Sequence, residues 1–367
     1  MKIADLDFKF PEELIATSPH RPSRVMLVDD SSQGPQEHSL KDLLQVFSAG
    51  DVLVLNDTKV LRRRVFVGDL EILFLNHFGN NEWEVLFPSK KYKIGEVIEL
   101  PENIQMTLLQ KGRPQRVKLS EAVEEEYFQR VAELPLPPYI QKARMERHNV
   151  GDDESWYQTS WAEKLGSFAA PTASLHFSQQ DLENLKNKGV EIYKITLHVG
   201  LGTFLPVTTE DLNDHPMHSE YVEIKAAVWQ KIQKALEEQR NIWALGTTVT
   251  RTLESAALKK IPQLENGDFK GETNLLIQPG FEFKIVNRLL TNFHQPQSTL
   301  LALVAAFSSL EKVQACYQWA IEKKFSLFSY GDLSAWLKPA ILFSNKINSE
   351  ELNSEEIKSA DVKSVRN

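Results

Sequence analysis

From Gly166 onward the spacing of apolar residues switches repeatedly between two periods, and this alternation is the tightest constraint on the fold. "GVEIYKITLHVG" sets Tyr193, Ile195, Leu197 and Val199 two apart, the period of one strand face. "VWQKIQKALEEQ" sets Val228, Ile232, Ala235 and Leu236 at helical spacing. "NIWALG" reads as a strand, "TTVTRTLESAALKK" as a helix, and "STLLALVAAF" as a helix apolar all round and therefore enclosed. Strands separated by helices pair in parallel through crossovers, so the expected class is α/β.

An earlier stretch follows a different rule. "DVLVLNDTKVL" reads as a buried strand, Val52 to Leu55, that turns at Asn56-Asp57. Beyond it, "LEILFL", "EWEVLF", "EVIEL", "QMTLLQ" and "RVKL" are short strand-like runs parted by turns such as "HFGNNE" and "KIGE". Short strands at close spacing imply a small all-β barrel or sandwich, inserted into the α/β chain. Between residues 59 and 118 eleven Lys and Arg face seven acids, inside a chain of formal net charge −8. The contrast implies that the β module meets a polyanion while the rest does chemistry; solvated turn lysines are the plain alternative.

The overall acidity excludes a wholesale polyanion binder of the histone kind. The 367 residues are enough for two domains. One cysteine, Cys316, excludes an internal disulfide and a thiolate metal cluster, and fits a reducing compartment. Val313, Tyr317 and Ala320 share its helical face, so Cys316 is expected as a small buried hydrophobe. "MKIADLDFKFPEELIA" has no apolar core behind a basic start, and no stretch is long and apolar enough for a bilayer. The expectation is a cytoplasmic protein that meets no membrane. Residues 344–367 lack apolar periodicity and are read as a disordered tail.

Five histidines of the α/β part stand in stretches rich in Gly, Pro, Thr or Asn. His176 lies in "GSFAAPTASLHFSQQDL", the approach to a helix that Ser178 and Asp181 box and Gly189 stops. His198 ends a strand immediately before Gly200-Leu201-Gly202-Thr203, where α/β sheets bind ligands. In "WALGTTVTRTLES" a strand ends at Gly246 and Thr247-Thr248 are placed to cap a helix whose N-terminus favours an anion. Arg251 follows on the face of Thr248, with Glu254 three residues on; an ion pair between them is the plain reading. "LLTNFHQPQSTLL" crowds Asn292, His294 and Ser298, the last a plausible N-cap. "HPMHSEY" offers His215, His218 and Glu220, whose spacing is not that of a helical zinc pair, so no metal is expected. No nucleophile elbow, phosphate loop or dinucleotide fingerprint is present.

Nine blocks in one order, from residue 52 to 332, resemble the S-adenosylmethionine:tRNA ribosyltransferase-isomerase (QueA) family of queuosine biosynthesis. They are "VLVLNDTKV", "LPLPPYI", "YQTSWAEKLGSFAAPTASLHF", "TLHVGLGTFLPV", "HPMHSEY", "GTTVTRTLES", "GETNLLIQPGF", "LLTNFHQPQSTLLALVAAF" and "FSYGD". The resemblance implies a barrel-like mixed α/β domain of discontinuous chain (1–60 and 150–343) with a small β-barrel (61–149) inserted. It implies transfer of the ribosyl moiety of S-adenosylmethionine to a 7-aminomethyl-7-deazaguanine at the tRNA wobble position. The products would be epoxyqueuosine in tRNA, adenine and methionine, with S-adenosylmethionine a consumed substrate, no other cofactor, and a monomeric enzyme.

On that resemblance His176, His198 and His294 are candidates for a base that removes a C5′ proton beside the sulfonium, with Arg251 and Glu254 as further catalytic candidates. Thr172, Gly200, Gly202, Thr203, Gly246, Thr247, Thr248, Asn292 and Ser298 are candidates for holding S-adenosylmethionine. Asn56, Asp57, Thr58 and Arg64 are candidates for meeting tRNA. The chain departs from the family pattern at Arg62, Arg63, Ser174 and Gln297, the last replacing a lysine. The rival readings are a catalytically impaired tRNA-binding paralogue and a metal-dependent hydrolase using His215, His218 and Glu220.

Overall fold

The computed structural model describes residues 1–30, 34–200, 202 and 207–339; the 344–367 tail and Thr203 lie outside the described residues. The chain opens with β1 (Arg24–Asp29), β2 (Gln36–Ser39), α1 (Leu40–Val46), β3 (Val52–Asn56) and β4 (Thr58–Val60). There follow β5 (Arg64–Val67), β6 (Leu70–His77), β7 (Glu82–Leu86), β8 (Val97–Glu99), β9 (Gln105–Gln110), β10 (Gln115–Leu119), α2 (Glu125–Val131) and β11 (Ala132–Glu133). Next come α3 (Pro138–Arg144), α4 (Asp153–Trp156), β12 (Lys164–Ser167), α5 (Gln179–Asn187), β13 (Glu191–Leu197) and β14 (Glu220–Ile224). The rest is α6 (Ala226–Glu237), β15 (Ile242–Leu245), α7 (Thr247–Ala257), β16 (Phe269–Thr273), β17 (Arg288–Asn292), α8 (Thr299–Phe307), α9 (Leu310–Glu322) and β18 (Leu333–Leu337).

The fold is mixed α/β. Its large sheet has nine strands in the order β16-β14-β13-β3-β15-β17-β18-β1-β2. The unbroken "VLVL" of β3 follows from burial on both faces. Val52 and Val54 point into a core filled by α6, α7, α8 and α9, while Leu53 and Leu55 point into one filled by α1 and α5. Leu301 to Phe307 of α8 are all buried in the first core, as an all-apolar helix requires. Cys316 of α9 is buried there too, and burial pushes its thiol up to about 11. The α5 boundaries follow from the box: Ser178 Oγ accepts from Asp181 N, and Gly189 turns the chain at φ +92°.

Seven strands form a second, antiparallel sheet in the order β11-β5-β6-β7-β10-β9-β8. Alternation sends Ile72, Phe74, Trp83 and Val85 into one core with Tyr127 and Phe128 of α2. Leu73 and Leu75 leave by the other face to pack on Phe168. Where a small barrel or sandwich was expected, the sheet curls into a half-barrel whose ladder ends, among the described residues, at β11 and β8. These edge strands are two and three residues long, too short to zip into a closed ladder. Among the described residues no single helix is long and apolar enough to cross a membrane.

Candidate active site

Strand directions concentrate the chemistry along one edge of the large sheet. β13, β3, β15 and β17 run parallel as neighbours, so their carboxyl ends align. β14 and β18 run against them, and β1 parallels β18, so those three strands begin at the same edge. The edge therefore collects His198 after β13, Asn56 of β3, Gly246 after β15, Asn292 of β17, Glu220 of β14 and Ser23 before β1. A crevice outside carboxyl strand ends is where α/β sheets bind ligands. With strands about 4.8 Å apart, His198 and Asn292 are separated by about 14 Å, so the imidazoles share an edge without clustering.

His198 is the most accessible ring of the three candidates. Its Nδ1 lies 2.7 Å from Thr58 Oγ1. With Nδ1–H donating to that hydroxyl, Nε2 keeps its lone pair. The ring is nearly parallel to Tyr221, with centroids 5.4 Å apart, and lies against Gly166. Burial is the largest cause lowering its pKa; Lys164 also lowers it, and Asp57 and Glu223 oppose. The "NDT" turn builds this support. Asn56 Oδ1 accepts from Leu197 N and Thr58 N, both at 3.1 Å, and its Nδ2 donates to Leu197 O at 2.9 Å. One side chain thus locks β3 to β13 and sets Thr58 beside His198.

A methyl on Gly166 would fall 2.6 to 2.7 Å from three atoms of the His198 ring. Gly166→Ala is therefore expected to displace the imidazole and reduce kcat/KM on the order of 100-fold, the usual cost of moving a reacting group by about 1 Å. The loss should vanish in a background already lacking His198. A Gly166→Ala enzyme as fast as wild type would show that the ring has no precise task.

His176 is buried and held at both ring nitrogens. Its Nδ1 pairs with Ser23 Oγ at 2.7 Å, and its Nε2 accepts from Asn292 Nδ2 at 3.1 Å. Burial, aided by Arg21, holds it at a pKa of about 3, so it is neutral and both ring nitrogens are occupied. It borders a hollow of about 10 Å³, room for a single water, shared with Arg21, Ser329 and Tyr330. His294 is also buried, with Nε2 2.8 Å from Thr291 Oγ1 and a pKa lowered to about 3. The small residues around His176 thus serve close packing: Ser174, in the same turn, is fully buried.

The Arg251 pairing differs from the expected one. Arg251 Nη2 donates to Glu220 Oε2 across helix and strand, both side chains being at most 10% exposed. Glu220 Oε1 accepts from Gly200 N at 3.1 Å, tying the segment after His198 to the same carboxylate. Glu254 instead faces the 284–286 segment and accepts from the backbone N–H groups of Lys284, Ile285 and Val286 at 2.7, 3.0 and 2.9 Å. These bonds anchor that segment to α7. Gly246, at φ +105°, is the N-cap of α7 and no side chain caps it, so Thr247 and Thr248 belong to the first turn. Ser298 does cap α8, accepting from Leu301 N at 3.2 Å. Thr172 opens the short 3-10 turn to His176, half-buried, and Gly202 lies against the His218 ring.

The residues expected to meet tRNA are internal. Asn56, Asp57, Thr58 and Arg64 are at most 5% exposed. Asp57 Oδ1 accepts from Thr196 Oγ1 at 2.7 Å, and Arg64 donates to Glu133 and Asn149. Arg62 and Arg63 are likewise neutralised, by Glu154 and Glu125. Gln297 is exposed in the turn before α8, its N–H bonded to Leu6 O at 3.0 Å. The proposed hydrolase set is divided, because both Glu220 oxygens face Arg251 and Gly200. Sequence reasoning missed Gly166, Tyr221 and Ser23 as supports. Tyr221 closes the "HPMHSEY" block, and its signal is only that it follows Glu220.

Comparison with known proteins agrees over nearly the whole chain. The model of a family described as "Queuosine biosynthesis protein" matches residues 3–335. The chain is 41% identical over 348 residues to the S-adenosylmethionine:tRNA ribosyltransferase-isomerase of Staphylococcus aureus (strain Newman), covering 90% of this chain and 98% of that protein. It is 39% identical over 350 residues to the protein of the same name in Staphylococcus haemolyticus, with the same coverage. The crystal structure of S-adenosylmethionine tRNA ribosyltransferase from Thermotoga maritima superposes with a TM-score of 0.52 at 29% identity, covering 91% of this chain and all of that one.

Proposed function

The chain belongs to the queuosine biosynthesis family and is an S-adenosylmethionine:tRNA ribosyltransferase-isomerase, and from this premise we propose that its chemistry runs along the sheet edge with His198 as the base. The reaction moves the ribosyl moiety of S-adenosylmethionine to the aminomethyl group of a 7-deazaguanine at the tRNA wobble position, leaving adenine and methionine. A sulfonium acidifies its neighbouring C5′ hydrogens, and a neutral imidazole near pH 7 is suited to remove one. His198 Nε2 takes that proton; the imidazolium so formed then serves the departing adenine. Arg251, held by Glu220 through one nitrogen, directs its remaining N–H groups to the methionine carboxylate or a ribose hydroxyl, assisted by the N-terminus of α7 at Gly246 to Thr248. The single observation that carries the assignment is the Thr58–His198 hydrogen bond on an edge that also holds Arg251.

The same reading makes residues 1–60 and 150–343 the catalytic body, residues 61–149 the inserted module, and the cytoplasm the working compartment. S-adenosylmethionine is consumed, and the proposal needs no other cofactor. The test is incubation of the purified protein with S-adenosylmethionine and tRNA carrying the aminomethyl base. Free adenine in one-to-one yield with modified tRNA is expected. Binding of that tRNA with no adenine released would instead support the impaired paralogue.

A further inference from the structure

The seven-stranded sheet has lost its obvious cations to internal pairing, yet five others gather at one end of it. Lys90 and Lys91 follow β7, Lys93 precedes β8, and Lys111 and Arg113 lie between β9 and β10. The register puts all of these connections at the same end: Leu73 opposes Leu86, Gln115 opposes Val85, and Gly95 N bonds to Leu108 O. All five are exposed, and among the described residues none of their side chains enters an ion pair with a carboxylate. Three carboxylates, Asp69, Glu71 and Glu96, share this end, so the five cations outnumber them. Asp69 faces Arg147 at 3.5 Å, and Glu96 accepts from the Lys93 backbone N–H at 2.8 Å.

Two of the basic turns are fastened to each other. Gln115, 5% exposed, donates from Nε2 to Phe87 O, Ser89 Oγ and Gly112 O at 3.1, 2.9 and 2.9 Å, and accepts from Phe87 N at 3.2 Å. A buried amide spent entirely on two surface turns holds Lys90 and Lys91 beside Lys111 and Arg113. Next to Lys90 and Lys91 a hollow of about 430 Å³ opens to solvent, with Asp69, Pro88 and Tyr92 in its wall. The opposite end of the same strands carries exposed Glu99, Glu121, Glu124 and Glu126. Five-residue strands β7 and β10 separate the two ends by about 15 Å. Cations outnumber carboxylates at the first end, and the reverse holds at the second even with Lys118 and Arg130 exposed there, so the field favours a polyanion at the first.

We propose that the first end, Lys90, Lys91, Lys93, Lys111 and Arg113, is the docking surface for the phosphate backbone of the substrate tRNA. The inference rests on the ribosyltransferase reading above and adds the surface that orients the RNA. It connects physically to the candidate base: His198 lies on Gly166, Phe168 packs on Leu73 and Leu75, and Leu70 at the basic end is three residues from Leu73, about 10 Å along β6. One RNA hairpin can reach both places.

The test compares wild type with the triple variant Lys90→Gln, Lys91→Gln, Arg113→Gln, using tRNA with the aminomethyl base. Each phosphate contact contributes about 0.7 to 0.9 to the slope of log affinity against log salt, so the triple variant should lose about 2 to 3 from that slope. Its KM for tRNA should rise about tenfold or more, with KM for S-adenosylmethionine and kcat at saturating tRNA unchanged. Glu121→Gln with Glu124→Gln, at the other end, should leave the slope as it is. A triple variant with wild-type slope and wild-type KM for tRNA overturns the surface. Should wild type bind tRNA but release no adenine, the enzymatic reading fails, while the salt slopes of binding still decide the surface.

Discussion

Adenine release by the His198→Ala variant is expected to fall by about 100- to 10,000-fold, the range that a positioned general base supplies. The fold should survive, because the ring is half-buried and the β3 to β13 lock is made by Asn56, not by the imidazole. Thr58→Val removes only the hydroxyl that orients Nδ1, and should give a smaller loss in kcat with little change in KM. The pH profile provides the sign. Burial holds the His198 pKa below its ordinary 6.5, so the base form persists through neutral pH and kcat/KM declines only on the acid side of 6.5. Asp57 pulls that pKa upward, so Asp57→Asn should move the acid limb to still lower pH. If the residual activity of His198→Ala keeps the wild-type acid limb, the titrating base is another group.

The second large effect concerns the Arg251–Glu220 pair. Glu220→Leu leaves a guanidinium in a site at most 10% exposed with no counter-charge, and should destabilise the protein by about 3 to 5 kcal/mol. Adding Arg251→Met should recover most of that stability, since a buried ion pair and an apolar replacement of similar volume are often close in free energy. Activity should not recover with it, because the remaining Arg251 donors are assigned to substrate. Denaturant unfolding with adenine release on the same three proteins separates the two outcomes. A stable double variant with wild-type turnover would reduce the pair to a structural tie.

The places where the local pattern and the observed contacts part share a cause. Arg64 sits in a basic stretch and looks available, yet Glu133 and Asn149, 69 and 85 residues away, enclose it. Arg251 has an acid three residues on, yet its partner comes from β14, 31 residues earlier. His176 stands among small residues that suggest a ligand, and those residues instead bring Ser23 and Asn292 onto its two nitrogens. In each case the local pattern identified a chemically capable residue and a distant strand determined whether it was free.

Elements whose signals are local were legible in full: the doubly buried β3, the all-apolar α8, the Ser178–Asp181 box, and the short alternating strands from 70 to 119. His198 at a carboxyl strand end was legible as well, because strand period and glycine are both properties of a few adjacent residues. What the chain order does not contain is strand order. Only the arrangement β13-β3-β15-β17 sets Thr58 against His198 across 140 residues, and only the antiparallel β14 carries Glu220 to the same edge. Periodicity records which face of an element is apolar, whereas a site is made by register between elements, which packing of the whole sheet decides.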